Sequence, residues 1–245
     1  MSARFTIPLF AEDPDDDVEP APPELAAPLQ RLLGDVETEF AHLGGNAMRW
    51  EDPHQLPDGT LRDVLDEEYS RVSDPEKYEV LAARAAAWAR VLTGRGWAEA
   101  IEVDGPELSA WRAAPRVEPR DVTVMRPHRP GALALRLGRT AAESGIHGLV
   151  LGVGEPAVEV ELLPDCGCDA CDDGSDGLLR ALDEVILDVV EGAYEVSWSR
   201  RGFVQRTPDG GSLAEGGLSR FPEPFRITAL PWADAWTPRP LIDPL

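Results

Sequence analysis

Apolar residues recur along this chain first at helical and later at alternating spacing. Leu25, Leu29, Leu32, Leu33, Val36, Phe40 and Leu43 are three and four positions apart, the repeat of one helix face, and Gly44-Gly45 ends the run. Pro28 falls early enough to sit in the first turn. A second stripe, Tyr78, Leu81, Ala85, Trp88 and Leu92, has firmer ends: Ser73 or Asp74 as cap, Pro75 in the first turn, Glu76 completing a capping box with Ser73, and Gly94 and Gly96 behind. From Trp97 onward alternation takes over, which predicts strands at 97–103, 121–125, 132–137, 147–152 and 157–163. Gly152-Val153-Gly154-Glu155-Pro156 joins the last two as a hairpin turn. In the final strand Val158, Val160 and Leu162 are out of phase with Glu159 and Glu161, so one face should be buried and one wet. A third helix follows, capped by Ser175, with Leu178, Leu179, Leu182, Val185, Ile186, Val189 and Val190 as its stripe and Gly192 as its stop. Tyr194–Ser199 and Phe203–Arg206 read as another hairpin across Arg201-Gly202.

These elements predict an α+β fold, a largely antiparallel sheet packed against about three helices in a single domain. Residues 1–23 form an acidic, proline-rich lead-in that cannot bury apolar surface and is expected to be disordered. Residues 24–206 form the core domain with its cysteine loop, and 207–245 an irregular C-terminal tail that docks on the core through its apolar stretch from Phe225 to Trp236. Between the first two helices lies a long connection whose Trp50 and Tyr69 should anchor it while its charges face water.

Charge changes the picture more than hydrophobicity does. With 43% hydrophobic residues the 245-residue chain can build a sizeable core, but 45 acidic against 23 basic residues give a formal net charge of -22. Nucleic acid and anionic membrane surfaces should be repelled; such acidity ordinarily serves to keep a soluble protein dispersed, and the interactions it would favour are a basic protein partner met through the acidic surface or imitation of DNA. No signal-peptide core and no membrane-spanning apolar run is visible, so a cytoplasmic setting with reduced thiols is expected.

The candidate chemistry is concentrated in Pro164-Asp-Cys-Gly-Cys-Asp-Ala-Cys-Asp-Asp173, which places Cys166, Cys168 and Cys171, all the cysteines of the chain, in one short loop. Zinc takes four ligands at tetrahedral corners, and three thiolates from one loop can fill three of them. His147 is the preferred fourth ligand because it starts the strand that pairs with the one leading into the loop, with His128, His54 or a neighbouring aspartate as alternatives. A redox or nucleophilic thiol in Cys168-x-x-Cys171 is the competing chemistry, and small inward-facing cysteines without a ligand are the plain structural reading. Asp165, Asp169, Asp172, Asp173 and Asp176 surround the loop with no cation nearby in sequence before Arg180. One such carboxylate at roughly 7 Å opposes a thiolate by about 0.6 kcal/mol in water and about 2 kcal/mol at intermediate dielectric, which favours a divalent cation over a free thiolate. A calcium loop is excluded because the register that fits Gly174 puts Arg180 where a bidentate Glu is required.

Other patterns carry less. Gly-x-Ser-x-Gly is missing, His42, His54, His128 and His147 fall in no nucleophilic motif, and the glycines between 148 and 154 fit no nucleotide-binding loop, so no nucleotide cofactor is indicated. Trp50-Glu-Asp-Pro-His54, Glu67-Glu-Tyr-Ser-Arg-Val-Ser-Asp-Pro-Glu-Lys-Tyr78, Leu151-Gly-Val-Gly-Glu-Pro-Ala157 and the cysteine string together resemble an actinobacterial family known only as a domain of unknown function, over roughly residues 25 to 200. That resemblance implies a single-family domain in a soluble bacterial protein and supplies no activity, ligand or catalytic residue. The function expected from the residues is a non-enzymatic protein with a zinc-like structural centre and an acidic interaction surface; the alternative is a thiol-dependent redox or small-molecule enzyme.

Overall fold

A computed structural model describes residues 25–103, 108–141, 147–214 and 221–243; the acidic lead-in expected over 1–23 lies outside them. Each predicted stripe becomes the inward face of a helix: α1 (Ala27–His42) buries Leu29, Leu32, Val36 and Phe40, and α2 (Glu79–Gly94) buries Leu81, Ala85, Trp88 and Leu92. The third, α3 (Ser175–Glu191), buries Leu179, Leu182, Ile186, Val189 and Val190 and ends at Gly192, whose φ of 82° is the left-handed conformation that a helix stop requires.

The alternating segments become β1 (Ala98–Val103), β2 (Asp121–Pro127), β3 (Leu135–Thr140), β4 (Gly148–Val153) and β5 (Val158–Leu163), an antiparallel meander in which each strand pairs with its sequence neighbour. A second antiparallel sheet has the order β8-β7-β6-β9, built from β6 (Glu195–Ser199), β7 (Gly202–Arg206), β8 (Gly211–Ala214) and β9 (Phe225–Thr228). The class is α+β, with three α-helices and two antiparallel sheets among the described residues. One apolar core runs between all three helices, one face of the meander and the second sheet, from Leu32 and Trp88 through Leu149 and Leu151 to Tyr194 and Trp232.

Four local expectations need correction. Ser73 and Glu76 form no capping box: the residues after Asp74 first make a 3-10 turn, Pro75–Tyr78, and the Ser73 amide and hydroxyl both go to Asp169. Ser175 does not cap α3; its fully buried hydroxyl sits inside the helix and donates to the Trp50 carbonyl. The two faces of β5 are not buried and wet. A register shift against β4 at Leu151/Gly152 leaves Val160 as the extra residue, so Val158 joins the main core while Leu162 packs with Val150 and Val117 on the opposite face. Segment 108–119 covers that second face, and Glu159, expected in water, is buried against Arg116. Finally, the stretch expected to be irregular after 206 contains β8, and β9 pairs with β6.

A candidate metal centre in the cysteine loop

The loop between β5 and α3 is positioned from both ends. At its entry Gly148 lets β4 approach so closely that a Cβ there would lie 2.0 Å from the Leu163 carbonyl oxygen, and at its exit Ser175 NH bonds to the Trp50 carbonyl at 3.1 Å. Between these points a 3-10 turn, Asp169–Cys171, folds the chain so that the three side chains face one another. The Sγ atoms of Cys166, Cys168 and Cys171 all lie within 4.8 Å of one another, Cys166 donating to Cys168 at 3.2 Å, and none is in a disulfide. Zinc–sulfur bonds of about 2.3 Å at tetrahedral angles require sulfurs about 3.8 Å apart, so three sulfurs this close could hold one ion after small shifts.

Cations reach the loop aspartates from distant parts of the chain. Asp165 pairs with Arg116, and Asp176 with Arg49 at 2.8 Å. Asp169 accepts from Arg71 Nε at 2.6 Å, Ser73 Oγ at 2.6 Å and the Ser73 amide at 2.9 Å. These donors, Arg71 first, hold its carboxyl well below the usual carboxylate range. Asp172 accepts from Trp50 Nε1 at 2.8 Å, Lys77 Nζ at 2.5 Å and the Gly174 amide at 3.1 Å. The uncompensated acidic setting expected from the sequence is therefore largely neutralised. Trp50 does anchor the long connection, packing edge-on to Tyr78 at 5.7 Å, whereas Tyr69, expected to do the same, is 63% exposed.

Thiol ionisation is set within the cluster. Burial pushes the Cys168 thiol up, but hydrogen bonds from the Cys166 and Cys171 thiols and from the Cys171 and Ala170 amides outweigh it, so the net direction is down. Cys171 is pushed up to about 12, chiefly by its bond to Cys168 and then by burial and Cys166. One thiolate is stabilised and further ones are opposed, a balance that a divalent ion replaces with coordination of all three. Among the described residues no basic side chain is hydrogen-bonded to a sulfur, the arrangement that activates nucleophilic cysteines.

The histidines are distributed differently. His147 lines a cleft of about 480 Å³ together with Cys166 and Cys168, and its Nε2 meets Glu79 Oε1 at 3.0 Å, a carboxylate also bound by Arg139. It is not among the ligand atoms clustered with the thiols. His128 Nδ1 contacts the Gly96 carbonyl at 3.0 Å, and His54 lies beside Asp52 and Asp173. Sequence reasoning missed Trp50, Arg71, Ser73 and Lys77 as the residues that hold the loop; three of them share the short stretch 71–77, but no motif links that stretch to the cysteines.

No helix among the described residues is long and apolar enough to cross a membrane. No curated protein and no solved structure matches this chain. A family model does, over residues 36–236, a span that covers α1 from Val36, all of the meander, the cysteine loop and the second sheet, and the chain therefore belongs to that family, a family of unknown function (DUF6226).

Proposed function

We propose that Cys166, Cys168 and Cys171 bind a zinc-like ion that clasps the β5–α3 loop, and that the protein works without catalysis, as a cytoplasmic partner-binding protein with an acidic surface. The observation that supports the centre is the convergence of three thiols within 4.8 Å on a loop tied at Asp169 and Asp172 to the 50–77 segment. His147 is the candidate for a fourth position, since it shares the cleft with Cys166 and Cys168; binding there would require it to turn from Glu79. The net charge of -22 supports a basic protein partner. Elemental analysis of tag-free protein, paired with thiol titration before and after a chelator, tests the centre: one equivalent of metal and thiols that react only after chelation are expected. Less than about a tenth of an equivalent together with three freely titrating thiols refutes it, because structural zinc binds strongly once its ligands are deprotonated.

The thiol-enzyme reading keeps one observation, the downward direction of Cys168 in a setting whose aspartates are paired. Its signature would be a metal-free Cys168 that alkylates rapidly below the ordinary thiol range near 8.5.

A further inference from the structure

The structure assigns a second cation site, separate from the thiols, to Asp52, His54 and Asp173. One ligand atom from each of these side chains lies within 4.8 Å of the others, and His54 Nδ1 is 3.2 Å from Asp52 Oδ1. Two further observations raise this group above an ordinary acidic surface. The His54 ring is buried, with 6% of its side chain exposed, and its Nε2 is sealed from solvent with no hydrogen-bond partner among the described residues. An imidazole nitrogen in that position lacks the partner that buried polar atoms ordinarily have. The second observation is the pattern of neutralisation. Asp165, Asp169, Asp172 and Asp176 each have a lysine or arginine at ion-pair distance, whereas among the described residues Asp52 has only the more distant charge of Arg62 and Asp173 is in no ion pair with a lysine or arginine. Asp173 is exposed and makes no described hydrogen bond; its neighbours carry it to this place, Gly174 lying close against the Asp52 amide and Ser175 bonding to the Trp50 carbonyl.

Two carboxylates and an imidazole form a harder donor set than three thiolates and suit a manganese- or iron-type divalent ion with solvent in the remaining positions. The site would join the connection after α1 to the residue pair that precedes α3, the same two segments that Trp50 and Asp172 already link. It stands independently of the cysteine centre, sharing none of its ligands.

Titrating Mn²⁺ into protein pre-loaded with one equivalent of zinc, followed by the spin-resonance signal of free Mn²⁺ and by calorimetry, tests the site. One saturable equivalent is expected in the wild type. Asp173→Ala should weaken it by on the order of tenfold or more, using the loss seen for outer-sphere partners of metal sites as a lower guide. That variant removes an exposed side chain with no described bond, so a merely structural Asp173 would leave Mn²⁺ binding unmoved. The Cys166→Ser/Cys168→Ser/Cys171→Ser variant should lose zinc and keep Mn²⁺. No saturable Mn²⁺ binding in the wild type, unchanged affinity in Asp173→Ala, or loss of Mn²⁺ along with the cysteines would each overturn the inference, the last by making the two groups a single centre.

Discussion

Replacing Lys77 with Met removes one charge from the loop anchor and preserves the length of the side chain. Lys77 is 16% exposed and its partner Asp172 5%, so the substitution leaves a carboxylate with little access to water. Removing one member of a buried pair costs about 3–5 kcal/mol. Asp172 keeps the Trp50 indole and the Gly174 amide, which places the effect near the lower end of that range. The ammonium also sits 5.5 Å from the Trp50 ring centroid and 5.2 Å from that of Tyr78. Each contact adds about 0.5–1 kcal/mol at a partly exposed site, for a total of about 4–5 kcal/mol. At about 2–4 °C per kcal/mol for a domain of this size, Tm should fall by roughly 8–20 °C. Urea unfolding in the presence of a chelator, which keeps metal linkage out of the measurement, provides the free energy. Lys77→Met/Asp172→Asn should recover about half or more of the loss, because the orphaned charge is then gone. A single-variant loss below about 1 kcal/mol, or a double variant no more stable than the single one, would refute the view that this pair anchors the loop in a poorly solvated place.

Three further substitutions probe the scaffold. Arg62 grips Glu68 with both terminal nitrogens, at 2.8 and 2.6 Å, and with the Leu65 amide it lowers the carboxyl to about 2. Because the folded-state value is depressed, the unfolded chain takes up the proton first, so this stabilisation is present above the ordinary value of about 4.3 and is lost as pH falls toward 2. Melting curves from pH 6 down to pH 2.5 should therefore show Glu68→Gln less stable at pH 6 and flatter below pH 5, and parallel curves would count against it. Gly192→Ala forces a side chain onto a residue at φ 82° and brings a Cβ to 2.3 Å from the Pro231 nitrogen, whereas Gly34 in α1 has nothing within 4 Å of that position. The first change should cost more than about 2 kcal/mol, and Gly34→Ala should stabilise by about 0.5–1 kcal/mol, read as opposite shifts in Tm.

The helices and the meander were legible because burial imposes a period, and stripes such as Leu29–Phe40 and Leu178–Val190 repeat often enough to display it. Their ends were less so. Ser73 and Ser175 both have cap chemistry, yet a hydroxyl satisfies whichever partner lies closest in space, and those partners were Asp169 and Trp50, about a hundred or more residues away in sequence. The phase of β5 failed for a related reason: one extra residue at Val160 reverses which side chains share a face, and nothing in an alternating string marks a bulge. The cysteines announced themselves by number and spacing. Their electrostatic setting did not, since local sequence shows five aspartates and none of Arg49, Arg71, Lys77 or Arg116.

The neighbour-to-neighbour order of the meander also bears on how the chain acquires its shape. Every pairing from β1 to β5 closes a connection between consecutive strands, whereas β6 receives its second partner, β9, only after β7 and β8 have been laid down on the other side. Loop-closure entropy makes the first kind of contact the earlier one. The meander can therefore zip hairpin by hairpin while the edge of β6 waits for Phe225–Thr228, so a released chain ending between Arg206 and Phe225 would have its largest sheet complete and its second sheet open on one side.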